Sequence, residues 1–245
     1  MSPRITFLSL FPFLFQSCAM LYMPNIANVP LHQDKGDLIF SANTGFTGYN
    51  FHGSYAISDK FFANANAAYA NMRRDSSDYN RSSLGELGFG YYKVLDKKRV
   101  VVFESSAGYG LASVNDKGLQ GNFYGHLSSN YHKFYLQPSI GASTDYFDGA
   151  LTARITALKY FNYEDFVNPG ESIAYYPGMT AYVEPIATLR AGYKYVKLQI
   201  QVGCSISLNN RHPLALQGFP VIANIGLSGH IPTQKKKETD PILSY

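Results

Sequence analysis

From Gly36 onward, apolar and polar side chains alternate at period 2, the spacing of a strand with two unlike faces. VKLQIQVGCSIS is the clearest case. Val196, Leu198, Ile200, Val202, Cys204 and Ile206 share one face, and Lys197, Gln199, Gln201, Gly203, Ser205 and Ser207 the other. FPVIANIGLSGH sets Phe219, Val221, Ala223, Ile225 and Leu227 against Asn224, Gly226, Ser228 and His230. In VVFESSAGYGL, Val101, Phe103, Ala107, Tyr109 and Leu111 oppose Glu104 and Ser106, and upstream Leu87, Phe89 and Tyr91 oppose Glu86, Gly88 and Gly90. The pattern predicts about ten strands, near 37–45, 49–57, 60–72, 82–94, 99–112, 131–143, 148–161, 180–191, 195–206 and 217–230. Most exceed the usual strand of about 5–6 residues and suit a tilted membrane-crossing strand of roughly 9–11.

The connections alternate as well. Those at 58–59, 95–98, 144–147 and 192–194 are short, those at 73–81, 113–130, 162–179 and 208–216 are long, and only 46–48 departs from the rule. Short turns at one end and long loops at the other predict an all-β, up-and-down antiparallel membrane β-barrel over 36–231, followed by a polar C-terminal tail at 232–245. In hydrocarbon an open sheet edge leaves backbone groups unpaired, so such a sheet has to close. An even number of strands puts both barrel ends on the short-turn side, the periplasmic one.

The start of the chain follows another pattern. After Arg4, residues 5–15 form a mostly apolar run interrupted by Pro12, ending in LFPFLFQSC. That is too short for a spanning helix of about 20 residues, but it has the charge and length of a secretory signal peptide. A small Ser17 followed by Cys18 resembles the bacterial lipoproteins, in which the cysteine is lipidated and becomes the new N-terminus. The resemblance implies a signal peptide at 1–17, palmitate on Cys18, and a lipidated tether at 18–35 held in the inner leaflet. Ordinary export with cleavage nearby, leaving Cys18 unmodified, is the alternative. With Cys18 acylated, Cys204 has no disulfide partner, because the chain has two cysteines.

Composition narrows the partners. Charged residues make up 16% and aromatics 15%, with 20 Tyr and 17 Phe, a balance that suits a lipid-facing β surface. The net charge of +4 is scattered, apart from the lysines at 235–237 in the tail, which excludes nucleic acid as a partner. Parity places Glu86, Glu104, Lys133, Gln137, Arg154, Glu184, Arg190 and Lys197 on the interior face. A ten-stranded barrel is narrow and buried charges need partners, so these residues are expected to form a paired network, not a pore lining. Pro138 and Pro185 fall inside strands and call for bulges or an early strand end, whereas Pro220 can open its strand.

Three stretches, YMPNIANVPLHQDKGDL (22–38), FYLQPSIG (134–141) and VEPIATLRAGYKYVKLQIQVG (183–203), resemble the outer-membrane β-barrel lipoproteins of Bacteroidota. The resemblance implies a lipid-anchored barrel in the cell outer membrane with membrane lipid as its surroundings, and it assigns no chemistry. Such barrels commonly end on an aromatic residue in the last strand; here a polar tail follows His230, and Tyr245 lies beyond it.

No phosphate loop, cofactor motif or metal-ligand spacing is present, and the six histidines are dispersed. His126 and Ser128 in YGHLSSNYH resemble the His-x-Ser spacing of barrel enzymes that deacylate lipid A. Triad logic asks for an acid as well. Asp145 lies beyond a strand and Glu184 points inward, so an ordinary polar loop is the competing reading. Asp75, Asp78, Glu164, Asp165 and His212 fall in outer loops, where a protease-like site would need them to converge. The loops 113–130 and 162–179 are expected to carry the functional surface. In the second, NYEDFVNPGESIAYYPGM offers aromatics that either anchor an envelope protein or glycan or join the interfacial girdle. The sequence therefore points to an outer-membrane barrel lipoprotein with a structural or binding role at the cell envelope and no catalysis. A lipid-modifying barrel enzyme and a lipid-tethered barrel that does not span are the alternatives.

Overall fold

The computed structural model describes residues 22–73, 78–120, 123–168, 171–172, 179–208 and 221–232. Ten antiparallel strands form a meander: β1 (Asp37–Gly45), β2 (Gly48–Ala56), β3 (Phe61–Arg73), β4 (Tyr79–Val94), β5 (Val101–Gln120), β6 (Phe123–Ser143), β7 (Phe147–Asn168), β8 (Met179–Tyr193), β9 (Val196–Cys204) and β10 (Val221–Pro232). Two-residue strands, Glu171–Ser172 and Ile206–Ser207, extend the pairing of β7 and β8. The sheet closes where β1 pairs with β10, from Asp37 opposite Pro232 to Gly45 opposite Asn224. No helix occurs among the described residues. The first hairpin turns tightly because Gly48, at φ 80°, occupies backbone space that side chains avoid.

The exterior carries the apolar side chains. Val196, Leu198, Ile200 and Val202 on β9 are 42–58% exposed, and Phe89, Leu111, Leu136, Leu151 and Leu227 lie on the same outer surface. This belt has a definite upper edge. On β4 to β7, Gly85, Leu111, His132 and Lys159 are aligned in one cross-strand row. On the short-turn side of that row apolar residues face out, while the inward positions are mostly polar, with Val102, Ala150, Ile186 and Ile222 among the apolar ones that also face in. Beyond it the phase inverts: Leu84, Ala112, Val114, Leu127, Tyr131 and Tyr160 are buried inside, while Arg81, Ser83 and Ser113 are exposed. The ten residue steps from Val101 to Leu111 span about 33 Å along a strand. At the usual barrel tilt of about 40° the belt is roughly 25 Å tall.

Two expectations change with these strands. The stretch 113–130, expected as a loop, is mostly strand, because β5 and β6 continue to Gln120 and Phe123. Likewise β7 continues to Asn168, into the expected 162–179 loop. The prolines are accommodated without the expected change of register at Pro138. Pro138 pairs with Ser105 on β5, and the β6–β7 ladder pauses between Leu136 and Ser139 and resumes in register. Pro185 pairs with Ala153 on β7, while its ladder to β9 stops at Gly203 and resumes at Ile206 in the same register. Each proline thus turns its missing donor toward a local gap in a closed sheet.

The largest correction concerns the tether. Residues 22–32 are buried inside the barrel and do not run free beside it. This segment threads the lumen from the long-hairpin end to the short-turn end. Along β6 alone its contacts descend in order. Tyr22 packs on Tyr131, Asn25 meets Lys133, Asn28 meets Gln137, Leu31 lies against Gly141, and Gln33 donates to the Ser143 carbonyl. Pro24 and Pro30 deny it a full set of ladder donors, so it fills the axis as an extended chain and not as an eleventh strand.

Candidate functional site

An extended chain buried in a lumen carries N–H and C=O groups that must find partners. The inward polar side chains supply them. Gln201 reads both backbone groups of Ala27, accepting from its N–H at 3.0 Å and donating to its carbonyl at 2.8 Å. Arg154 donates to the carbonyls of Asn25 and Ile26, Gln137 to that of Asn28 at 2.7 Å, and Arg190 to that of Val29. Asn50 accepts from Ile26 N–H and Glu104 from Leu31 N–H at 2.9 Å. Side chains of the segment are held too. Asn25 donates to Glu86 at 2.9 Å, Asn28 to Asn66 at 2.8 Å, and His32 shares a hydrogen bond with Ser54 at 2.7 Å. Between these contacts Ile26, Ala27, Val29 and Leu31 pack on Val102, Ala150, Ile186 and Ile222.

The seven charged positions assigned to the interior all lie buried there. Lys133 meets Glu86 at 2.8 Å and Arg154 meets Glu184 at 2.6 Å, both pairs without solvent access. Glu184 also accepts from Tyr22, Thr156 and Ser205. Arg190 and Lys197 share a different acid, Asp148, at 3.8 and 2.6 Å. Asp148 was not among the expected network, although parity pointed to it: Leu151, Ala153 and Ile155 face out, so Asp148 faces in with Arg154. Glu104 departs from the expected pairing. Among the described residues it forms no ion pair, and its visible partner is the Leu31 amide. With Asp148 included, the acids of this network that form ion pairs are Glu86, Asp148 and Glu184, and their partners are Lys133, Arg154, Arg190 and Lys197.

Tyr135 seals the wall beside this network. Its hydroxyl donates to Asn64 at 2.9 Å, and its ring fills the space over two glycines. A Cβ at Gly108 would lie 2.5 Å from the ring, and one at Gly88 2.2 Å from the hydroxyl. Toward the long-hairpin end Tyr22 packs in a buried cluster with Tyr131, Tyr160, Tyr182, Leu84, Leu127 and Leu158.

His126 and Ser128 sit on β6, not in a loop, above the belt and on its outward parity. His126 shares a hydrogen bond of 2.6 Å with the Asn115 amide oxygen. The register sets Glu164 of β7 opposite Ser128. Chain order hid this acid because the β6–β7 hairpin, longer than expected, folds it back. Cys18, Asp75, His212 and the tail from 233 onward lie outside the described residues, as does much of the expected 162–179 loop.

A closed ten-stranded barrel that grips an extended segment of its own chain is the class of molecule defined by this geometry. No family model matches the sequence, and no curated protein or solved structure matches it.

Proposed function

We propose that this chain is an outer-membrane β-barrel lipoprotein, lipidated at Cys18, with a structural or binding role at the cell envelope. The observation that carries the reading is the inversion of apolar phase at the Gly85–Leu111–His132–Lys159 row. Apolar residues face outward over roughly 25 Å, the height of a transmembrane barrel's belt. Past that height they turn inward, as they do in any sheet standing in water. A barrel immersed in water along its whole length has no reason to change phase midway. The filled lumen favours a structural or binding role over transport, and the projecting β5–β6 hairpin offers the partner-binding surface. Outer-membrane fractionation with heat-modifiable gel migration tests the location. Labelled palmitate tests the anchor, with incorporation expected to vanish in Cys18→Ala.

A second reading, a lipid-modifying barrel enzyme, draws support from Glu164 standing opposite Ser128 in register, two residues along from His126. Altered lipid A masses on overexpression, lost in Ser128→Ala, are its signature. Unchanged masses remove it.

A further inference from the structure

We infer that the chain preceding Tyr22 leaves the barrel at the long-hairpin end, so that a lipid on Cys18 enters the leaflet on that side. The lipid would then lie opposite the short turns, and the protein would be threaded through its own lumen. The inference rests on the lipoprotein reading for the lipid, but the threading itself stands on geometry.

Tyr22 marks the exit. It is fully buried, its hydroxyl donates to Glu184 at 2.8 Å, and its ring packs on Tyr131 and Tyr182 with centroids 6.1 and 4.8 Å apart. Tyr131 precedes His132, which stands in the row that ends the belt. Downward the way is filled by residues 23–33, whose contacts descend β6 to Ser143. Sideways the ladder is closed, with β1 paired to β10. A barrel close to the size that its own side chains fill does not hold a second pass of chain. The remaining way out is toward the projecting β5–β6 hairpin. Cys18 is four residues upstream, so it lies within about 14 Å of Tyr22. That reach is shorter than a belt roughly 25 Å tall, so it does not return Cys18 to the short-turn side.

The threading also explains why the interior is polar. The inward face reads main-chain groups at Asn25, Ile26, Ala27, Asn28 and Val29 and also holds the side chains of Tyr22, Asn25, Asn28 and His32. The grip fixes the direction of the segment, and the direction fixes the side on which the N-terminus appears.

The test places single cysteines in the full chain in a Cys204→Ala background and labels them with a membrane-impermeant maleimide. Met20→Cys reports the exit, with Ala19→Cys as a second reporter should the first not fold. Asn71→Cys reports the long-hairpin end, and Lys97→Cys the short turns. The parent carrying Cys204→Ala alone gives the signal from Cys18. In intact cells Met20→Cys and Asn71→Cys are expected to label, while Lys97→Cys labels only after permeabilisation. Purified protein in liposomes should keep the first two on one side and the third on the other. If Met20→Cys partners with Lys97→Cys in either setting, the threading is wrong. If Met20→Cys and Asn71→Cys stay together but both are shielded in intact cells, the threading stands and the outer-membrane reading fails.

Discussion

Glu184 shows how much one side chain carries in this interior. Its carboxylate holds Arg154 at 2.6 Å and accepts from Tyr22, Thr156 and Ser205, with no access to solvent. Breaking a buried ion pair from one side costs about 3–5 kcal/mol, because the other charge stays buried alone. Arg99 and Asp34 form a pair of similar length, 2.7 Å, with side chains 50% and 47% exposed, and such surface pairs contribute about 0–1 kcal/mol. We therefore expect Glu184→Gln to lower sharply the temperature at which the folded gel form is lost, and Asp34→Asn to leave it nearly unchanged. Equal shifts for the two variants would mean that water reaches the network. Leu31 shows the opposite balance. Its φ of 57° lies in the left-handed region, which costs roughly 1–2 kcal/mol for a side-chain-bearing residue. Burial of the leucine side chain returns about 1.5–3 kcal/mol, and its N–H is held by Glu104.

Among the elements, the strands bearing proline show how a closed sheet tolerates a lost donor. Pro138→Ala restores an N–H facing the β6–β7 gap, and a hydrogen bond formed there adds about 0.5–1.5 kcal/mol. The same change frees the unfolded chain, which costs about 0.4–1 kcal/mol. The two effects nearly cancel, so the unfolding midpoint of Pro138→Ala should differ from that of the parent by less than the equivalent of about 1 kcal/mol. A loss beyond about 2 kcal/mol would show that the ring itself packs in the outward groove it shares with Ala153 and Pro185. The strands were legible because alternation in one phase runs through each of them, as in Val196 to Val202. The hairpin beyond the belt was not. On β5 the apolar positions move from Tyr109 and Leu111 to Ala112 and Val114, so a reading of fixed phase stops at the edge of the belt. Asp148 and Glu104, both well inside the belt, show a second limit: parity fixes which face a charge takes, but the partner depends on register across strands.

At the scale of the whole molecule, the N-terminal segment decides whether the barrel is a conduit. Its sequence hid that role, because 22–33 has no period and two prolines, which reads as a linker; its partners are contributed by residues as distant as Gln201. Residues 22–33 occupy the axis, and Arg154, Arg190, Gln137 and Gln201 spend their donors on its carbonyls. Without the segment those groups need water, and water brings ions. Planar bilayers holding the intact protein should therefore show no stable conductance, while a variant lacking residues 22–33 should show discrete steps. Adding a peptide of the 22–33 sequence should close them. Should the deletion variant fail to give a heat-modifiable form, the peptide supplied during refolding should restore it, since the same contacts then act in trans. Steps of equal size from intact and deleted protein would mean that the axis is open beside the segment, and the picture of a filled barrel would fall.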